Sequence, residues 1–248
     1  MDKPIQYQKG YVEFYKLRFK VTPAVLIPRP ETELLVDYVL NFVCQLRPTP
    51  YNLQPITILD LGTGSGNIAI SIAKNLDIYL PTCYLPTCQV GARIIATDIS
   101  VKALKVARQN AKLHGVENKI IFIKSNLLSA FHSNTAQYQS NNNPDIIVTN
   151  LPYIPSARIP YLDSSVKDFE PHVALDGGED GFELYRKLFQ QISDLATQHR
   201  RLLPMLIIGE IDYTHGELAT MEAQKYFPKA EIEVKTDLAH KQRILLIS

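Results

Sequence analysis

The sequence has little of what several classes of protein require. Its 248 residues include three cysteines and no tryptophan, and no apolar run approaches the ~20 residues that span a bilayer. The net charge is only +1, which gives no overall electrostatic footprint for nucleic acid. The start, Met1-Asp2-Lys3-Pro4, lacks the apolar stretch of a secretion signal. We therefore expect a cytoplasmic protein with reduced thiols and no membrane association.

The composition is that of an ordinary globular protein. Hydrophobic residues make up 46% and charged residues 21% of the chain, and the length suits one large α/β domain with a small appendage. Residues 11–15 and 17–21 alternate apolar with polar or aromatic side chains, as a half-exposed hairpin does. We interpret residues 1–27 as strands rather than helix. The predicted division is a β-hairpin appendage over 1–27 and a main domain over 28–248.

A glycine-rich turn follows the buried strand predicted over residues 56–61. Strand, glycine turn and helix together begin a nucleotide-binding βαβ unit, in which the backbone approaches a ligand closely. Asn67 stands where the dinucleotide fingerprint has its last glycine, so the turn suits a ligand without a pyrophosphate, such as S-adenosylmethionine. A purely structural turn is the alternative. The predicted cofactor-binding residues here are Gly62, Thr63, Gly64, Ser65 and Gly66.

Two further strands add candidate cofactor contacts. Asp98 ends the strand predicted over residues 93–98, where a carboxylate can accept hydrogen bonds from both ribose hydroxyls. It could instead cap the next helix, as could Ser100. The strand over residues 119–123 leads to Asn126 and Leu127, where an adenine ring would lie. The alternation continues to a final strand pair, so we predict a doubly wound, mostly parallel sheet.

The most informative stretch is Asn150-Leu151-Pro152-Tyr153, which follows the apolar run at residues 146–148. It presents an amide, a backbone carbonyl and an aromatic ring at the carboxyl edge of the sheet, where open α/β sheets bind ligands. An amide oxygen beside a carbonyl can hold a substrate –NH2 group by both hydrogens. We predict that these four residues are the catalytic and substrate-binding site, with a plain turn as the alternative.

Three remaining segments carry weaker signals. Cys83 and Cys88 lie in a tandem repeat over residues 79–88, which we interpret as a duplicated surface loop because no histidine accompanies the thiols. We predict no metal site. Residues 132–143 form a polar insertion, and residues 154–179 form a long segment with little periodicity. Such a long segment in a compact domain is typically a lid or a wall of a binding site.

Four separated stretches resemble the HemK/PrmC-type glutamine methyltransferases, which methylate the side-chain amide of glutamine in peptide chain release factors. They are residues 25–33, 59–66, 145–153 and 237–247. The resemblance implies a class I, Rossmann-like methyltransferase fold with a seven-stranded sheet and S-adenosyl-L-methionine as cofactor. It also implies a release factor as partner, no stable nucleic acid binding and a monomer.

The resemblance assigns roles to particular positions. Residues 62–66 would wrap the methionine end of the cofactor, Asp98 would hold the ribose, and Leu127 would lie near the adenine. Asn150 would bind the substrate amide beside the cofactor, and residues 29–31 would cover the site. This sequence departs from the family in two ways. Leu151 replaces a proline, and the hairpin begins almost at Met1, where family members carry an N-terminal helical bundle.

The expected chemistry depends on positioning. The Asn150 side-chain oxygen and the Leu151 carbonyl would accept the two amide hydrogens, and Tyr153 would pack against the glutamine. Two alternatives stay open. The form Asn-Leu-Pro-Tyr occurs in ribosomal RNA adenine dimethyltransferases, so an amino-methyltransferase acting on adenine in RNA or DNA is one. A catalytically inactive cofactor-binding module is the other. Which glutamine, and in which factor, is left open.

Overall fold

The computed structural model describes residues 3–46, 55–79, 92–131, 144–198 and 203–248. Residues 80–88 of the tandem repeat and the polar insertion at 132–143 lie outside these ranges, so the interpretations given to them stay predictions.

The N-terminal region contains a hairpin, as predicted, preceded by a short helix that was not. Strands β1 (Tyr11–Phe14) and β2 (Leu17–Lys20) pair antiparallel. The interpretation of residues 1–27 as strands rather than helix is wrong for α1 (Ile5–Lys9). Tertiary contact holds this single turn and a half, because Tyr7 is buried and its hydroxyl donates to the Val25 carbonyl at 2.6 Å.

Seven strands form one sheet in the order β5-β4-β3-β6-β7-β9-β8. The neighbours are parallel from β5 through β7, and β9 alone runs antiparallel to both strands beside it. The doubly wound, mostly parallel sheet with a terminal antiparallel pair is therefore confirmed. The strands are β3 (Ile56–Leu61), β4 (Ala92–Asp98), β5 (Ile120–Lys124), β6 (Ile146–Thr149), β7 (Leu206–Glu210), β8 (Ile232–Thr236) and β9 (Gln242–Ile247).

Helices cover both faces of the sheet, which explains why β6 and β7 are buried at every position. The helices after α1 are α2 (Glu33–Gln45), α3 (Asn67–Tyr79), α4 (Val101–Leu113), α5 (Ser164–Lys167), α6 (Glu183–Gln198) and α7 (Gly216–Tyr226). One core cluster joins α2 and α3 to the sheet, and a second joins α6 and α7 to it. Phe14 and Phe19 of the hairpin belong to the first cluster. The domain boundary at residue 27 stays a prediction.

The segment between β6 and α6 is more ordered than its lack of periodicity suggested. It contains 3-10 turns at Ser156–Tyr161 and His172–Ala174 in addition to α5. A bridge between Ile154 and Asp176 closes it into a loop. Among the residues that the structure describes, no helix is both long and apolar enough to cross a membrane.

Candidate active site

A cleft of about 1070 Å³, partly open to solvent, lies at the carboxyl ends of β3, β4, β5 and β6. Parallel strands place their end residues at one edge of a sheet. The strand order reverses at this point, because β3 has β4 on one side and β6 on the other. The predicted site residues that line the cleft are Gly62, Thr63, Gly64, Ser65, Asp98, Asn126, Leu127, Asn150, Leu151 and Pro152. The structure thus brings together nearly all of the predicted positions.

The glycine turn needs its glycines for their backbone conformation. Gly62, Gly64 and Gly66 have φ values of 77°, 55° and 83°, in the left-handed region that other residues rarely adopt. A Cβ on Gly66 would lie 2.9 Å from Ile70 on α3 and 3.2 Å from Ala107 on α4, so this glycine lets the two helices pack closely. A Cβ on Gly64 would meet no atom nearer than 4.0 Å, and Gly64 lines the cleft. Gly64 therefore leaves space for a ligand, whereas Gly66 serves packing.

Asp98 links the glycine turn to the next helix. One of its carboxylate oxygens accepts from the Gly64 N–H at 2.9 Å and the other from the Ser100 N–H at 2.8 Å. Ser100 is the N-cap of α4, with its hydroxyl accepting from Ala103. The helix is thus capped by Ser100, and Asp98 is among the residues that line the cleft. Burial raises the pKa of Asp98, and the backbone hydrogen bonds oppose that rise.

Leu127 lies where β5 has ended and lines the cleft in a strained conformation. Its φ of 49° is unusual for a leucine, and the Ser125 hydroxyl donates to its carbonyl at 2.6 Å. Strained residues of this kind persist where their surroundings hold them, often at ligand sites.

Asp60, at the end of β3, holds the glycine turn and the start of α3 by hydrogen bonds. Its side chain is fully buried and accepts from the Thr63 hydroxyl at 2.6 Å and from the Ala69 N–H at 3.0 Å, while its other oxygen has no partner among the described residues. Burial raises the pKa of Asp60 to about 7, against those hydrogen bonds, and the nearby Asp98 adds to the rise.

The raised pKa of Asp60 predicts a pH-dependent stability. The native state keeps a proton that the unfolded chain releases near pH 4, so this group stabilises the fold at low pH and loses that contribution as pH rises to about 7. The asparagine in Asp60→Asn does not titrate, so the stability of that variant should not fall in this way. Between pH 4 and pH 7, we expect the free energy of unfolding of Asp60→Asn to rise relative to that of wild type by up to about 4 kcal/mol. Urea unfolding at pH 4.5, 5.5, 6.5 and 7.5 measures the difference. Parallel pH profiles would contradict it.

The wall opposite the sheet comes from two distant parts of the chain. Residues 24–29 and 171–174 both contribute to the cleft. The Arg29 guanidinium forms an ion pair with Glu170, a buried carboxylate. Burial raises the pKa of Glu170, and Arg29 opposes the rise. Of residues 29–31, Arg29 lines the cleft, and the covering role of this segment stays a prediction.

Asn150 is oriented by a buried carboxylate at the end of the neighbouring strand. Its Nδ2 donates to Glu210 Oε2 at 3.0 Å and to Thr32 Oγ1 at 3.1 Å. The Thr32 hydroxyl donates to the same Glu210 oxygen at 2.6 Å, and the Tyr153 hydroxyl donates to Glu210 Oε1 at 2.8 Å. Glu210 is 1% exposed, and burial raises its pKa while the hydrogen bonds from Thr32 and Tyr153 lower it.

Sequence reasoning missed Glu210 and Thr32. A signal for Glu210 was present, because it ends a buried strand in the way that Asp98 does. Thr32 gave none, since its role depends on contact with a residue 178 positions later. Tyr153 is directed to Glu210, and its predicted packing against a glutamine stays a prediction.

Leu151 acts on Tyr185, a buried side chain of α6. The Tyr185 hydroxyl donates to the Glu210 carbonyl at 2.6 Å. Burial raises the pKa of Tyr185, and the Leu151 backbone opposes that rise. The Leu151 side chain is 4% exposed and packs in the core cluster of α6 and α7. This leucine is therefore part of the fold as well as of the cleft.

Leu151→Pro should therefore lower stability but preserve activity. We expect a loss of about 1–3 kcal/mol in the free energy of unfolding, because a smaller side chain replaces the buried leucine and leaves part of its space in the core unfilled. The backbone carbonyl remains, so kcat should stay within about threefold, on the view that positioning by this oxygen is the residue's catalytic contribution. Urea unfolding and methylation assays on Leu151→Pro and Leu151→Ala separate the two effects. A large fall in kcat for the proline variant alone would mean that the clamp is built differently.

The cleft fits a nucleoside-type cofactor. It combines open space at Gly64, the Asp98 carboxylate and the strained turn at Leu127. Asn150 lies at the same edge of the sheet, directly after β6. No group of three or more His, Cys, Asp and Glu side chains within the described ranges is arranged to hold a metal ion.

Known structures share this architecture. The N-terminal domain of human METTL16 in complex with SAH superposes with a TM-score of 0.59 at 13% identity, covering 94% of this chain and 76% of that one. A SAM-dependent methyltransferase from Agrobacterium tumefaciens gives a TM-score of 0.51 at 15% identity, with coverage of 96% and 68%. A family model described as a methyltransferase domain matches residues 54–203. The fold and the cleft define a class I methyltransferase.

Sequence relatives identify the family. A release factor glutamine methyltransferase of Bacillus cereus is 34% identical over 245 residues, covering 98% of this chain and 75% of that protein. One from Moorella thermoacetica is 42% identical over 185 residues, covering 75% and 55%. The chain belongs to the family of release factor glutamine methyltransferases.

Proposed function

We propose that this protein transfers a methyl group from S-adenosyl-L-methionine to the side-chain amide nitrogen of a glutamine in a peptide chain release factor. The observation that carries the proposal is the orientation of Asn150. Its Nδ2 is committed to Glu210 and Thr32, which leaves Oδ1 as the atom available to a substrate in the cleft. An acceptor at this position suits a substrate that offers N–H groups.

The cofactor would be held by the elements already described. The backbone of residues 62–66 would surround its methionine end, Asp98 would accept the ribose hydroxyls, and Asn126 and Leu127 would contact the adenine. When bound, S-adenosyl-L-methionine supplies a methyl group that is activated by its attachment to a positively charged sulfur. General acid–base activation of the donor is therefore unnecessary.

The protein's contribution is to orient the substrate amide. The nitrogen lone pair of an amide is delocalised into its carbonyl, so the nitrogen is a weak nucleophile. Asn150 Oδ1 and the Leu151 carbonyl accept the two N–H hydrogens, which aims the lone pair and favours positive charge on nitrogen as the new bond forms. The new bond between the methyl carbon and the nitrogen replaces the bond between that carbon and sulfur, whose electron pair stays on sulfur and makes it neutral. The nitrogen keeps one hydrogen and releases the other to solvent as a proton. Pro152 keeps Leu151 extended, so its carbonyl stays in place.

The partner in this proposal is a protein. The sequence matches relatives named for release factors over most of its length. The proposal further includes a monomeric enzyme without stable nucleic acid binding, acting in the cytoplasm, where release factors work.

Labelled S-adenosylmethionine tests the proposal directly. The purified protein is incubated with a release factor, with ribosomal RNA, and with a release factor whose acceptor glutamine is replaced by alanine. We expect label in the first protein only, located on glutamine by mass spectrometry. Label in RNA alone would favour the adenine methyltransferase, and label in neither would favour an inactive cofactor-binding module.

A further inference from the structure

Glu210 gathers three donors from separate parts of the chain. Thr32 comes from the turn before α2, Asn150 follows β6, and Tyr153 lies three residues further on. All three donate to the one carboxylate at 2.6–3.0 Å. Glu210 is buried and does not itself line the cleft, whereas Asn150 and Thr32 do. Any effect of Glu210 on a ligand must therefore pass through its neighbours.

The hydrogen-bond pattern permits only one orientation of the Asn150 amide. A threonine hydroxyl has one proton, and Thr32 gives it to Glu210. Toward Asn150, Thr32 therefore offers only an acceptor, and Glu210 Oε2 accepts from both residues. Turning the amide over would bring Oδ1 against both acceptors with no hydrogen between them, leaving buried polar atoms unpaired. The Asn150 Nδ2 is held away from the substrate, and Oδ1 is presented to it.

This fixed orientation has a consequence for which side chain the site accepts. A glutamine amide brings two N–H donors to an acceptor oxygen. A glutamate carboxylate has nearly the same shape but brings only lone pairs and a negative charge. Asn150 Oδ1, and the Glu210 carboxylate behind it, would therefore repel it. Sites built around one hydrogen-bond pattern reject such an isostere strongly.

We infer that Glu210 is a positioning residue that makes this site specific for an amide, by locking Asn150 with its acceptor toward the substrate. The inference rests on the proposed glutamine methylation for the identity of the substrate. The orientation of Asn150 is a property of the free protein, so that part of the inference does not depend on the proposed methylation.

Both oxygens of Glu210 accept hydrogen bonds, Oε2 from Thr32 and Asn150 and Oε1 from Tyr153. Arg243 on the adjacent strand β9 favours ionisation of Glu210, and Glu31 acts against ionisation. A purely structural role, in which this buried carboxyl group only joins β7 to its neighbours, would affect unfolding without changing substrate choice. Glu210→Gln separates the two roles. A glutamine there can either accept from Asn150 or donate to it, so both amide orientations become possible.

The first measurement needs no substrate. In the ¹⁵N-labelled full-length protein, the Asn150 side-chain amide signals are assigned by their loss in Asn150→Ala. We expect their hydrogen exchange to be slowed in wild type and at least tenfold faster in Glu210→Gln. Glu222→Gln is the matched control and should leave the exchange unchanged. It is an equivalent change at a carboxylate of α7 that pairs with Lys225 on the same helix and with Arg186 on α6.

The second measurement uses the substrate. Release factor is compared with a variant carrying glutamate at the acceptor position, by dissociation constants measured with S-adenosylhomocysteine present. We expect Glu210→Gln to reduce the preference for glutamine at least tenfold and to lower kcat by about 10–100-fold, the size of one lost charge-assisted hydrogen bond. Glu222→Gln should keep the wild-type preference.

The outcomes are distinct. Unchanged amide exchange in Glu210→Gln, or an unchanged preference for glutamine accompanied only by a lower melting temperature, would overturn the inference. If wild type fails to methylate or bind release factor, the proposed function falls. The exchange rates of Asn150 then decide the positioning role of Glu210 by themselves.

Discussion

Replacing Asn150 with alanine is expected to lower kcat for release-factor methylation by about 100- to 1000-fold, the cost typical of removing one preorganised group that stabilises developing charge. The variant loses the acceptor presented to the substrate amide, while Glu210 keeps its hydrogen bonds from Thr32 and Tyr153. The affinity for S-adenosylhomocysteine should change far less than kcat. Single-turnover methylation with saturating cofactor and release factor measures the effect on the chemical step.

The matched control for this change is Asn75→Ala. Asn75 lies on α3, and its side-chain amide donates to the Ser71 carbonyl one turn earlier. We expect that variant to keep kcat within about twofold, as surface changes away from a site usually do. If Asn150→Ala retained activity within tenfold of wild type, the amide clamp would not be the source of catalysis.

Replacing Asp98 with alanine is the second change with a large expected effect. The carboxylate accepts hydrogen bonds from the Gly64 and Ser100 N–H groups. In the proposed complex it also accepts hydrogen bonds from the ribose hydroxyls. Its removal should weaken binding of S-adenosylhomocysteine by about 100-fold or more, since each lost hydrogen bond to a charged group costs about 1.5–3 kcal/mol. Isothermal titration calorimetry on the full-length protein measures this.

Asp145→Ala provides the comparison for Asp98→Ala. Asp145 lies just before β6 and accepts from the Thr57 N–H at 2.7 Å, at the opposite end of the strands from the cleft. Its loss should lower thermal stability and leave cofactor affinity within about threefold. Equal loss of affinity in both variants would mean that Asp98 acts through general stability and not through a contact with the ligand.

The parts of the fold that the sequence predicts well are those with local causes. The buried strands, the glycine turn and the acid at the end of β4 follow from apolar runs, positive φ values and the geometry of parallel sheets. Because strand ends converge at one edge, Gly64, Asp98 and Asn150 could be assigned to one site without coordinates. The short helix α1 was not predicted, because the tertiary contact through Tyr7 stabilises it more than its own sequence does.

The parts that the sequence could not provide depend on contacts between distant segments. The pairing of Arg29 with Glu170 joins residues 141 positions apart, and that of Thr32 with Glu210 joins residues 178 apart. Periodicity reports which face of an element is buried, but not which buried polar groups meet. The donor side of Asn150, and hence the atom it presents to a substrate, became visible only in three dimensions.

The contact between Thr32 and Glu210 also affects the order in which parts of the site can form during synthesis. The strands β3 to β6 and their glycine turn are complete in the nascent chain well before residue 210 leaves the ribosome. Until then the Asn150 amide has no carboxylate to hold it, and either of its ends can turn toward the cleft. The orientation of Asn150 thus depends on a strand that is synthesised after β3 to β6. Such long-range contacts also form late in folding, because closing a large loop costs entropy before any contact compensates it.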